Sequence, residues 1–210
     1  MEDPKRGQPD PKIPGGGSRP STIVSRSELP ALIARERIVK VLLMHDVQEK
    51  NVALQALGEA DFGIVRVIAQ EGAAANSEPA LRYNAIAALA YGRSPDNLNL
   101  LLDLAQYGED FYVRGHALLA LGTTGLYLAL GPVASHLGAR ERFEQIAARR
   151  AIRLVAQRSS VDGVRAHVMS LPNAKLRAAV DQVLASAGEV QRQESPQVTP
   201  SRKRPSESGR

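Results

Sequence analysis

The sequence predicts an all-α protein, an α-solenoid in which helix pairs stack into a right-handed superhelix. Three observations predict it. Residues 46–188 repeat one pattern at nearly constant spacing. Apolar residues through that stretch recur with a helical period, not a strand period. The packing falls to Ala and Leu, since 43% of the chain is hydrophobic but only 4% is aromatic and Trp is absent. Both residues lose little rotamer freedom in a helix.

Taken in order, residues 1–27 carry Pro4, Pro9, Pro11, Pro14, Gly15, Gly16, Gly17 and Pro20 and no apolar run. Such a segment cannot bury enough surface to offset its ordering entropy, so a disordered Pro/Gly-rich tail is expected, with no secretory pattern. The Gly triplet has no strand before it and reads as a linker, not a phosphate loop. The solenoid is expected over residues 28–188. It begins with an amphipathic helix at 28–44, "ELPALIARERIVKVLLM", which would cap the open end of the stack.

Five anchors follow: Lys50, Arg82, Arg114, Gln145 and Arg177, spaced 32, 32, 31 and 32 residues apart. Small or apolar residues stand 3, 6 and 7 places after each: Ala53, Ala56, Leu57; Ala85, Ala88, Leu89; Ala117, Ala120, Leu121; Ala148, Ala151, Ile152; Val180, Val183, Leu184. Those offsets share one helix face, where small residues let a neighbouring helix approach. Four places before the anchors stand Asp46, Glu78, Asp110, Glu141 and Asn173. They are expected to cap the helix, complement its dipole, or meet the basic residue one turn on. Asp46, Lys50, Glu78, Arg82, Asp110 and Arg114 therefore read as a structural ladder between repeats.

Each anchor helix is followed by a second one, expected near 61–71, 95–107, 125–137 and 160–170. Ser94-Pro95 supplies an N-cap and a first-turn proline. Pro132 should kink or delay the third of these helices. Residues 115–139 contain no Asp, Glu, Lys or Arg, long enough to cross a bilayer. Gly122, Thr123, Thr124, Gly125 and Pro132 interrupt them where the repeat needs a turn, so no membrane association is expected. Residues 189–210 are polar, with three prolines and the basic run "SRKRP", and are expected to be a second disordered tail.

The pattern is fullest in "EDFYVRGHALLALG" at 109–122 and clear in "EPALRYNAIAALA" and "DVQEKNVALQALG". It resembles the short bacterial HEAT repeat, the kind found in phycobilin lyase subunits. The resemblance covers about residues 46–188 and fades in the last two repeats. It implies a HEAT-like fold and says little about the ligand.

Composition narrows the function classes. Cys is absent, which removes disulfides, thiolate metal sites and cysteine nucleophiles, and a cytoplasmic setting is expected. The net charge of +5 is dispersed, but residues 29–139 carry −3 and residues 140–188 carry +5. Arg142, Arg149 and Arg153 form one stripe of a helix and are candidates for an anionic partner. Phe143 is the only aromatic residue expected there, so a stacking platform for single strands is not expected. His136 and His167 hold matching places in consecutive second helices and could face one groove, but too few ligands accompany them for a metal site. No cofactor is expected.

A non-enzymatic scaffold is therefore expected, binding a protein along the concave face lined by the second helices. Groove candidates are Asn99, Asp103, Gln106, His136, Arg165 and His167. Two alternatives stay open: an enzyme subunit of bilin-lyase type, implied by the resemblance, and electrostatic nucleic-acid binding through the Arg-rich repeats.

Overall fold

The structure is a computed structural model that describes residues 29–71, 78–171 and 173–194. The expected tail at 1–27 and the run "SRKRP" lie outside the described residues. Ten α-helices, and no strand, occur among the described residues: α1 (Leu29–Leu42), α2 (Val47–Gln55), α3 (Glu59–Gln70), α4 (Pro79–Ala88), α5 (Pro95–Tyr107), α6 (Phe111–Thr124), α7 (Leu130–Ser135), α8 (Arg142–Arg158), α9 (Val161–Met169) and α10 (Ala174–Glu194). The fold is an all-α solenoid. The helix α10 runs on to Glu194, so the expected start of the second tail at 189 lies inside it.

The helix ends follow from local chemistry. Asp46 and Asp110 accept a hydrogen bond from the backbone N–H three residues on, each at 2.8 Å. Ser160 caps α9 in the same manner at 2.9 Å, and Ser94 caps α5 by accepting from the Asp96 N–H two residues on, at 3.3 Å. Glu78 and Glu141 occupy N-cap positions without making a side-chain cap, so among the roles expected of these acids they do not take the capping one. Short Asp, Asn and Ser side chains are the residues that suit this geometry. Helix α6 stops at Gly125, whose φ of 72° is the left-handed conformation that favours glycine. The third second-helix is broken, with 3-10 turns at Tyr127–Ala129 and His136–Gly138 flanking the short α7. Pro132 sits in the first turn of α7, where a missing N–H costs nothing.

The core lies between the anchor helices and the second helices, which add residues such as Val65, Ile68, Leu101, Leu130, Val133 and Val164. The offset triplets of the second to fifth repeats are all buried. The first repeat departs from the pattern, because α2 ends at Gln55 and leaves Ala56 exposed and Leu57 half-buried beyond the helix. Helices α6 and α8 make the most intimate pair, with Gly122 lying directly against Ala151. The cap helix α1 packs on α2, α3 and α4. Ion pairs from Arg35 to Glu71 and from Arg37 to Asp61 tie it to the two ends of α3.

Candidate functional site

The residues expected to form a groove separate into different environments. Asn99, Asp103 and Gln106 are exposed on one stripe of α5. Arg165 is exposed on α9 and lies 3.7 Å from Asp162. His136 stands in the 3-10 turn after α7, with its Nδ1 2.9 Å from a Glu144 carboxylate oxygen. The His167 ring stacks on Tyr127 at a centroid distance of 5.9 Å. The two histidines are thus engaged by different neighbours. Among the described residues no group of three or more His, Asp or Glu converges as a metal site.

The arginine stripe is also divided. Arg142 and Arg149 are exposed. Arg153 is half-buried instead, donating from Nη2 to Ser186 Oγ at 3.1 Å, while its buried Nε has no partner. The cause is α10, which packs on that flank of α8.

Two arginines tie consecutive repeats. Arg82 donates from Nε to the Ala69 carbonyl at 3.0 Å and forks onto both carboxylate oxygens of Glu109. Arg114 donates from Nη1 to the Gly108 carbonyl at 2.8 Å and from Nη2 to Glu144 at 2.6 Å. In neither case is the partner the acid four places earlier. Lys50 instead donates to the Leu42 carbonyl.

Glu144 is the most enclosed charge of this set. Burial alone would raise its pKa, but hydrogen bonds from Arg114 and His136 outweigh that and hold it below the usual carboxylate range. The Arg82 hydrogen bond also holds Glu109 low. A carboxylate depressed in the folded state stabilises fully above its unfolded pKa of about 4.3. That stabilisation is lost as pH falls through the lower folded value. Acid unfolding of the wild type, followed by circular dichroism, should therefore set in below about pH 4. Glu144→Gln should start less stable and lose less stability between about pH 5 and 3.

A cleft of about 1140 Å³ opens where the C-terminal ends of α2, α6 and α8 meet the turn between α4 and α5. Phe62, Leu89, Leu98 and Leu101 supply apolar lining, and Arg93 and Arg158 stand exposed on it. Neither arginine has an ion-pair partner among the described residues, while Glu59, the carboxylate lining the cleft, is engaged by Arg66 at 2.8 Å. Tyr91 is fixed in the wall by its hydroxyl bond to Asn51 at 2.6 Å. Arg158 also complements the dipole at the end of α8, but that leaves its exposed guanidinium free to accept an anion. The repeat pattern does not single out this site: it marks Leu89 only as a packing residue, Phe62, Leu98, Leu101 and Arg158 come from different places in different repeats, and Arg93 lies in a turn.

The aromatic residues require a correction. Phe143 does not stand alone beside α8: Tyr83, Phe111, Tyr112 and His116 from the two preceding repeats gather around it. The opening is made by Gly115, since a Cβ there would collide with the Phe143 ring. Tyr112 and Phe143 share the same offset, two residues before their anchors, which is the signal that could have found them.

Residues 68–153 match the family described as HEAT repeats. No curated protein matches the chain. Among solved structures, the chain is similar to one in the complex of CpcE and CpcF of phycocyanin lyase from Nostoc sp. PCC7120, at 17% identity and a TM-score of 0.45. That alignment covers 73% of this chain and 99% of the other.

Proposed function

We propose that this HEAT-repeat protein is a non-enzymatic scaffold that binds a protein partner. The observation that carries the reading is the open cleft spanning several repeats, with apolar lining and two exposed arginines that have no ion-pair partner among the described residues. Such a surface suits an acidic segment with an apolar anchor. The anchor gains from desolvation on the Phe62 and Leu98 side, and its carboxylates meet Arg93 and Arg158. The exposed stripe of Asn99, Asp103 and Gln106 on α5 is available to broaden the contact. No described helix is long and apolar enough to cross a membrane.

The test is affinity capture from native extract after nuclease treatment, comparing wild type with Arg93→Glu/Arg158→Glu. A protein partner should survive nuclease and bind the variant about tenfold more weakly, on the order of 1.4 kcal/mol. Recovery of nucleic acid alone, or unchanged capture by the variant, would remove the reading. A co-purifying linear tetrapyrrole absorbance would favour the enzyme-subunit alternative instead.

A further inference from the structure

At the N-terminal ends of α4, α6 and α8, away from the cleft, aromatic rings and carboxylates meet on one surface. Tyr83 stacks on His116 with centroids 4.5 Å apart and planes inclined by 11°. Tyr112 lies 6.3 Å from Tyr83 and 5.4 Å from Phe143, and is 46% exposed. Asp110 is the N-cap of α6, two residues before Tyr112, and one of its carboxylate oxygens accepts from the Val113 N–H at 2.8 Å.

The local charge balance is negative. Arg82 and Arg114, the nearby cations, are occupied by Glu109 and Glu144 and by backbone carbonyls. Asp110, Glu78 and Glu141 have no ion-pair partner among the described residues. Burial pushes the His116 pKa down, so its ring is neutral at physiological pH and does not repel a cation. Arg142 is exposed at the start of α8, next to Phe143 in the chain, so the Tyr83–Tyr112 side is the part of the patch assigned to a cation.

We propose that Tyr83, Tyr112 and Asp110 form a docking site for a lysine or arginine side chain of a partner protein. The exposed Tyr112 ring, beside Tyr83 whose one face is covered by His116, offers the negative side of its quadrupole, and Asp110 supplies the full charge. This deepens the scaffold reading and rests on it, by assigning a second contact of opposite sign to the cleft. A partner carrying both an acidic and a basic segment could engage both ends of the anchor helices.

The probe is a Gly/Ser peptide with a central Lys-Arg pair, titrated into the full chain and followed through the aromatic resonances by NMR. Shifts should concentrate on the Tyr83, Tyr112 and His116 rings. Tyr112→Ala should weaken binding about tenfold, and Tyr112→Phe should retain it, because the ring face is kept. Asp110→Asn should also weaken binding; Asn is an equally good N-cap, so the helix stays intact. The proposal is overturned if the ring shifts are absent, or if Tyr112→Ala and Asp110→Asn bind as wild type does. It is equally overturned if a single-stranded oligonucleotide, and not the peptide, moves these rings. The cleft variant Arg93→Glu/Arg158→Glu should leave this titration unchanged, so failure here and failure of the cleft reading are told apart.

Discussion

Gly122→Ala should destabilise the protein by about 2–3 kcal/mol, against the usual sign for such a change. In a helix interior, replacing Gly by Ala normally stabilises by about 1 kcal/mol, because Gly gives up more backbone freedom on folding. Position 122 reverses this because α8 has no room to yield. A Cβ built there would lie 2.8 Å from both the Cβ and the carbonyl oxygen of Ala151, with the Ala151 Cα in the way as well. The obstacle is helix backbone, not the end of a flexible side chain, so relief requires moving α6 away from α8. These helices join the third repeat to the fourth. In a solenoid, stability is close to a sum of repeat terms and neighbour interfaces, so a wedge at one interface should also loosen the coupling of the two halves. Urea unfolding should show a lower midpoint and a broader or split transition. Gly63→Ala is the matched control. It lies within α3, and its new Cβ would meet only the end of Arg66 at 3.8 Å, so it should stabilise by about 0.5–1 kcal/mol. Equal effects at the two sites would show that propensity, not the close approach, governs position 122.

The same contrast explains which parts of the molecule were legible in the sequence. A period of about one repeat was enough to place the buried triplets of α4, α6, α8 and α10, because those offsets are fixed by helix geometry. It failed at Ala56 and Leu57, where α2 ends early and there is no preceding repeat for the triplet to pack on. Ion-pair partners were not legible either. Glu109 lies five places before Arg114, and Glu144 lies one place before Gln145, so the two carboxylates hold different places in the repeat. Long Arg and Glu side chains reach whichever opposite charge the packing brings near. Tyr83 and His116 likewise have unrelated offsets and come together only because α4 and α6 lie side by side. Period finds what every repeat needs; it is blind to what one repeat adds.

Glu144→Ala should cost about 3 kcal/mol at neutral pH, for a reason quite different from that at Gly122. The Glu144 side chain is 5% exposed and holds Arg114 through one oxygen and His136 through the other. Removing it strands the guanidinium of Arg114 in a partly desolvated site. The cost sits at the lower end for a broken buried pair, because Arg114 keeps 25% exposure and its bond to the Gly108 carbonyl. A double-mutant cycle separates the pair from the cavity. If the loss comes from an uncompensated cation, Arg114→Met in the Glu144→Ala background should recover a large part of it, since removing both partners of a buried pair is often nearly neutral. If the two changes simply add, the pair contributes no coupling, and Glu144 matters only as packing. Thermal unfolding of the four proteins at neutral pH distinguishes the outcomes. Recovery in the double variant would identify the Arg114–Glu144 contact as the electrostatic tie between the third and fourth repeats, complementing the steric tie made by Gly122 on the same pair of helices.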